Sequence, residues 1–158
     1  MEEITRLDEV TIFDGKLTFL IPHNWEEAVE KDHYLYSRAG ADSGWFRVSL
    51  NTSSAVDETP AQMLKRLFDG RENVTYDEQT GNCVCAYERD SEDGGAKIHL
   101  YYWIVAHVVE PDLVREAVFS YTVLSERTND QQTTKMLSLI RQIVNRTNFS
   151  TGSSGHRS

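Results

Sequence analysis

Ala96-Lys97-Ile98-His99-Leu100-Tyr101-Tyr102-Trp103-Ile104-Val105-Ala106-His107-Val108 is the stretch from which the fold can be read. Aromatic and β-branched side chains dominate it, and these suit the pleated surface of a strand. Asp93-Gly94-Gly95 precedes it and Glu110-Pro111-Asp112-Leu113 follows it, both of them turn signals. The reading is one long strand at the centre of a meander. Its predecessor spans residues 82–88 and its successor residues 114–125.

Turn geometry sets register, and register sets which side chains share a face. Pairing Glu110 with Leu113 implies Val108 opposite Arg115, Ala106 opposite Ala117, Ile104 opposite Phe119 and Tyr102 opposite Tyr121. One face then collects Cys83, Cys85, Tyr102, Ile104, Phe119 and Tyr121 as the main core. The other carries Tyr101, Trp103, Val105 and His107 together with Val118 and Thr122. On that face His107 is expected opposite Glu116, and Trp103 opposite Ser120. Such a face is either covered by a helix or offered to a partner. These six residues are therefore the candidate partner-binding surface.

Working outward, residues 10–13 and 17–21 flank Asp14-Gly15-Lys16, a strong hairpin signal. Pro22 ends the second strand. Asn24 with Glu27 three residues on forms a capping box, which predicts a short helix to about Glu30. Strands are expected at residues 33–38 and 45–52. In the latter, Phe46, Val48 and Leu50 alternate with Arg47, Ser49 and Asn51. Thr59-Pro60-Ala61-Gln62 starts a helix whose apolar stripe is Met63, Leu64, Leu67 and Phe68. Asn129 with Gln132 starts the last helix, with Met136, Leu137, Ile140, Ile143 and Val144 as its stripe. Residues 1–149 make one domain. Residues 150–158, rich in serine and glycine, read as a flexible tail.

Composition narrows the function classes. The 158 residues carry 25 acidic and 16 basic side chains, a formal net charge of −9. That balance disfavours nucleic acid, whose recognition needs clustered cations. No apolar run reaches the ~20 residues of a membrane span, and no membrane span is expected. The first residues lack the basic and apolar regions of a signal peptide, so the cytoplasm is the expected compartment, or else a mature form whose leader has been removed.

Motifs that name a reaction are lacking, and no cofactor or metal is expected. Cys83 and Cys85 share one strand face while His99 and His107 fall on the other, which leaves buried free thiols as the better reading. His99 and His107, eight residues apart, are separated by roughly 26 Å along a strand and cannot share a metal. His23-Asn24-Trp25-Glu26-Glu27 sets an imidazole near carboxylates. With His33 it marks where an enzyme or small-ligand pocket would lie. Capping explains Asn24 and Glu27 without chemistry.

A hairpin, Ile21-Pro22-His23-Asn24-Trp25, a strand pair, a Thr59-Pro60 helix, a meander and a final amphipathic helix: this order resembles the PsbP/DcrB-like α/β sandwich superfamily over about residues 8–147. Relatives usually have Leu-Pro-x-Gly-Trp in the second segment, and here Asn24 stands for the glycine. The resemblance implies an α+β fold, a curved antiparallel sheet with helices packed on it. It also implies a non-catalytic protein-binding module. Relatives include extrinsic photosystem proteins, Ran-binding transport factors, bacterial envelope lipoproteins and Eag-type chaperones of secretion effectors. The resulting expectation is a bacterial adaptor or chaperone, single or homodimeric. It would hold an apolar segment of another protein, such as a secretion effector or envelope component.

Overall fold

A computed structural model describes residues 6–31, 33–38, 45–54, 62, 66, 74–77, 81–110 and 113–149. Among these the chain is a mostly-sheet α+β fold, with one long helix packed on antiparallel sheets. The expected hairpin is β1 (Leu7–Ile12) and β2 (Leu17–Pro22), paired from Leu7 opposite Pro22 to Ile12 opposite Leu17. Its turn takes Phe13, Asp14 and Gly15 into positive φ. Phe13 tolerates this because its ring packs edge-on against Tyr34, 5.0 Å between centroids.

The segment expected to be a capped helix is instead a strand, β3 (Trp25–Glu30), paired along its whole length with β4 (His33–Arg38). A helix of six residues is too short to stand without packing. Here its would-be cap, Asn24, is exposed. Pairing as a strand also lets the Tyr36 hydroxyl donate to the Glu27 carboxylate at 2.8 Å. Burial, then the hydrogen bond to Glu27 and that carboxylate's charge, push the Tyr36 hydroxyl far above its ordinary pKa.

Next along the chain come β5 (Trp45–Ser54) and a short strand that sequence patterning missed, β6 (Val74–Asp77). The meander follows as β7 (Asn82–Asp93), β8 (Ala96–Glu110) and β9 (Leu113–Leu124). Together they form a seven-stranded sheet in the order β3-β4-β5-β9-β8-β7-β6. Gly94 and Gly95 both have positive φ, so Asp93 faces Ala96 across the primed two-residue turn that hairpins prefer. Of the helix expected from Thr59, Gln62 and Arg66 are helical and exposed, and the remainder lies outside the described residues. The tail from 150 lies outside them too.

The last helix, α1 (Gln131–Asn145), starts one residue later than expected, with Asp130 as its cap. It buries Thr133, Met136, Ile140, Ile143 and Val144. A two-residue strand, β10 (Asn148–Phe149), then pairs with β2 and completes a small sheet β1-β2-β10. This hairpin and α1 lie over one face of the large sheet. Leu17, Phe19 and Ile21 join Met136, Ile140, Ile143 and Val144 against Tyr36, Phe46, Val48, Trp103 and Phe119 in one continuous core.

Register in the meander departs from expectation by one residue. Glu110 does pair with Leu113, but Val109 is left over in a bulge, and Val108 pairs with Val114. Trp103 therefore faces Phe119, Tyr101 faces Tyr121 and His107 faces Arg115. The expected partners were Ser120 for Trp103 and Glu116 for His107. The expected register assumed an unbroken ladder out from Glu110, and one extra residue in a strand shifts every pair beyond it while adding local twist. Beyond the bulge every side chain of β9 changes face. Phe119, Tyr121 and Val123 join Trp103 rather than Cys85.

Candidate functional site

The bulge divides the six residues expected to make one partner surface. Tyr101, Trp103 and Val105 lie on the sheet face under α1 and the hairpin, with relative exposures of 7%, 6% and 0%. The Tyr101 and Trp103 rings stack at 6.4 Å inside the core. His107 shares that face but is half-buried and held. Its Nδ1 donates to Asn82 Oδ1 at 2.9 Å, and its ring stacks on Phe149 at 5.5 Å. Asn82 in turn donates to the Thr147 carbonyl at 3.0 Å. Burial pulls the His107 pKa below its ordinary value, against a hydrogen bond to the Gly81 backbone that raises it. The imidazole is thus neutral near pH 7, and with Asn82 it ties β7 and β8 to the segment from Thr147 to Phe149.

Val118 and Thr122 lie on the opposite face, so the expected surface does not exist as a unit. That opposite face is buried at one end. Cys83, Cys85, Ile104, Ala106 and Val114 form a second apolar cluster there. Both cysteines are buried and in no disulfide, and burial raises the Cys83 thiol pKa.

Toward the Asp93–Ala96 turn the same face opens. One row runs Arg89, Leu100, Thr122, Trp45 across β7, β8, β9 and β5. The next runs Tyr87, Tyr102, Ser120, Arg47, and Ile98 pairs with Leu124 at the upper end. Ile98, Leu100, Tyr102, Thr122 and Leu124 are half-exposed and belong to neither core cluster. Trp45 is 54% exposed, a large indole set on a face where its strand otherwise carries Arg47 and Ser49. Tyr87 and Tyr102 stack at 4.8 Å, 13° from parallel. The Arg89 guanidinium lies 5.6 Å from the Tyr102 ring centre. This half-open aromatic and aliphatic face is the candidate functional site. Its signal was the alternation in β5, which puts Trp45 on the wet side.

Other titratable groups are engaged one by one. His99 is clamped between Asp90, 2.7 Å from Nδ1, and Glu88, 2.8 Å from Nε2. Burial pulls its pKa down, but the hydrogen bonds and charges of the two carboxylates outweigh it, and the pKa is raised. Around the segment where a pocket was expected, His23 donates to Asp8 at 2.6 Å, and that hydrogen bond holds the Asp8 carboxyl below its usual range. His33 bonds Glu30 at 2.8 Å, while Trp25 packs edge-on against Phe46 on the opposite face of the same strand pair. Among the described residues, no three His, Cys, Asp or Glu side chains stand where they could share a metal ion. No helix among them is long and apolar enough to cross a membrane.

No known family profile matches the chain, and neither does any curated protein. Among solved structures it is similar to LpqN, described as involved in cell envelope biogenesis of Mycobacterium tuberculosis. The TM-score is 0.53 and the identity 12%, over 92% of this chain and 91% of that one. A protein of Bacteroides thetaiotaomicron matches with a TM-score of 0.50 and 16% identity, over 74% of this chain. The match takes in 41% of that longer chain. At such identities what the three chains share is a fold.

Proposed function

We propose that the chain is a non-catalytic protein-binding module, an adaptor or chaperone of the PsbP/DcrB-like α/β sandwich class. It holds an apolar segment of another protein on the half-open face of its large sheet. One observation carries this reading: Trp45, Leu100, Tyr102, Ile98 and Leu124, spread over three adjacent rows, form an apolar patch that belongs to neither core cluster. Burying such side chains against a partner is worth roughly 1.5–3 kcal/mol each before the costs of association. Indole and phenol side chains are the usual anchors of such contacts. The partner class is a secretion effector or an envelope component. The fold shared with an envelope-biogenesis protein supports the second. The reading holds equally for the cytoplasm and for an envelope.

A photo-crosslinking residue at Thr122 tests it in cells that make the protein. The expected result is a discrete adduct with a second protein that disappears when Trp45 is also changed to alanine. Partner capture that survives Trp45→Ala and never crosslinks through Thr122 would put the binding surface elsewhere.

A further inference from the structure

The middle of the open face, on β7, β8, β9 and β5, carries cations in a chain that is acidic overall, and this restricts what it can hold. Its three half-open rows on those strands contain two arginines, Arg47 and Arg89, and no carboxylate, while the described carboxylates of the same face, Glu26, Glu30, Asp93 and Glu116, stand outside them. The chain as a whole carries 25 acidic side chains against 16 basic ones. Both arginines are exposed, and neither is in an ion pair with any described residue. The acidic neighbours Glu88 and Asp90 face the other way, bound to His99. Arg47 and Arg89 stand on β5 and β7, three strand spacings and one row apart. That is about 15 Å, with Leu100, Thr122 and Tyr102 lying between them.

Building on the binding reading, we propose that the segment held on this face is apolar in its middle and acidic on both sides. Its carboxylates pair with Arg47 and Arg89 while its apolar side chains cover Leu100, Tyr102 and Trp45. Guanidinium groups suit carboxylates because their planar fork donates two parallel hydrogen bonds. Charge of this kind sets which partner is accepted, while the apolar row supplies adhesion. A polypeptide fits better than a lipid surface. The patch is a few strands wide, and a chain of net charge −9 is repelled by an anionic bilayer.

Three fluorescent 14-residue peptides test this by anisotropy on the whole chain. They share one apolar centre and differ only in flanks of glutamate, glutamine or lysine. The glutamate peptide should bind at least tenfold tighter than the glutamine peptide, and the lysine peptide weakest. Raising the salt from 0.1 to 0.5 M should shrink the gap. Arg47→Glu with Arg89→Glu should reverse the order, and the single changes Arg47→Gln and Arg89→Gln should each narrow it, with melting curves checking that each variant folds. Equal binding of glutamate and glutamine peptides, both lost in Trp45→Ala, would overturn the acidic preference and leave the binding reading intact. Binding to none of the peptides would overturn both, as would sedimentation with vesicles of phosphatidylglycerol and phosphatidylcholine in their place.

Discussion

Trp103 and Trp45 lie on the two faces of one sheet, and their surroundings differ in what was available to cover them. Beneath Trp103, a hairpin and a helix supply a covering layer. Phe19 meets both Tyr36 and Phe119 edge-on at 5.8 Å, and Phe46 stacks on Phe119 at the same distance. Above Trp45, among the described residues, no side chain of either core cluster arrives, although Leu100 and Tyr102 nearby are as apolar as their neighbours on the closed side. The lesson is that apolar content along a strand says little about which side is dry. The elements that can reach a face decide it.

Truncating one ring on each face is the strongest test of this contrast. Phe119→Ala, at a fully buried position, should cost about 3–5 kcal/mol in urea unfolding, because the removed ring leaves a cavity beside Phe19 and Phe46. Similar losses for Leu100→Ala or Trp45→Ala would mean that both faces are core. A smaller effect is expected where the closed face is tied off. Asn82→Ala leaves His107 and the Thr147 carbonyl without their shared amide and should cost about 1–3 kcal/mol.

Stability should also depend on pH through the rim of the closed face. His99 has a raised pKa in the folded chain. Its stabilisation is therefore fully present below the ordinary histidine value and is lost as pH rises through the raised one. The midpoint of urea unfolding should fall across that window in the wild type. His99→Gln should flatten the window, and an unchanged slope in that variant would assign the dependence to another group. The smallest effect belongs to Trp45→Ala, a surface change expected to move stability by no more than about 0.5 kcal/mol while removing partner capture.

Much of the architecture was legible because local chemistry and tertiary structure agree. Asp93-Gly94-Gly95 demanded a tight hairpin, and Cys85 opposite Ile104 follows from it directly. The order of strands and the apolar stripe of α1 were likewise plain. Other features depended on remote partners. Trp25-Glu26-Glu27-Ala28-Val29-Glu30 carries helix-start chemistry, yet β4 lies alongside and recruits it as a strand. Four-residue β6 and two-residue β10 are too short to show a period. The bulge at Val109 mattered most, since one unpaired residue exchanged the faces of all β9 beyond it. It moved Val118 and Thr122 away from Trp103 and onto the face where Trp45 stands. Trp45 itself was visible as an indole on the polar side of an alternating strand.

The small sheet has a consequence for how this protein is made. Its middle strand, β2, leaves a ribosome well over a hundred residues before its second neighbour, β10. Until Phe149 emerges, His107 lacks its stacking partner, Asn82 lacks the Thr147 carbonyl, and one edge of β2 stays bare. Folding during synthesis can therefore assemble the meander but not seal it. A nascent chain stalled before residue 147 should stay sensitive to protease in a way that one extended past 149 does not.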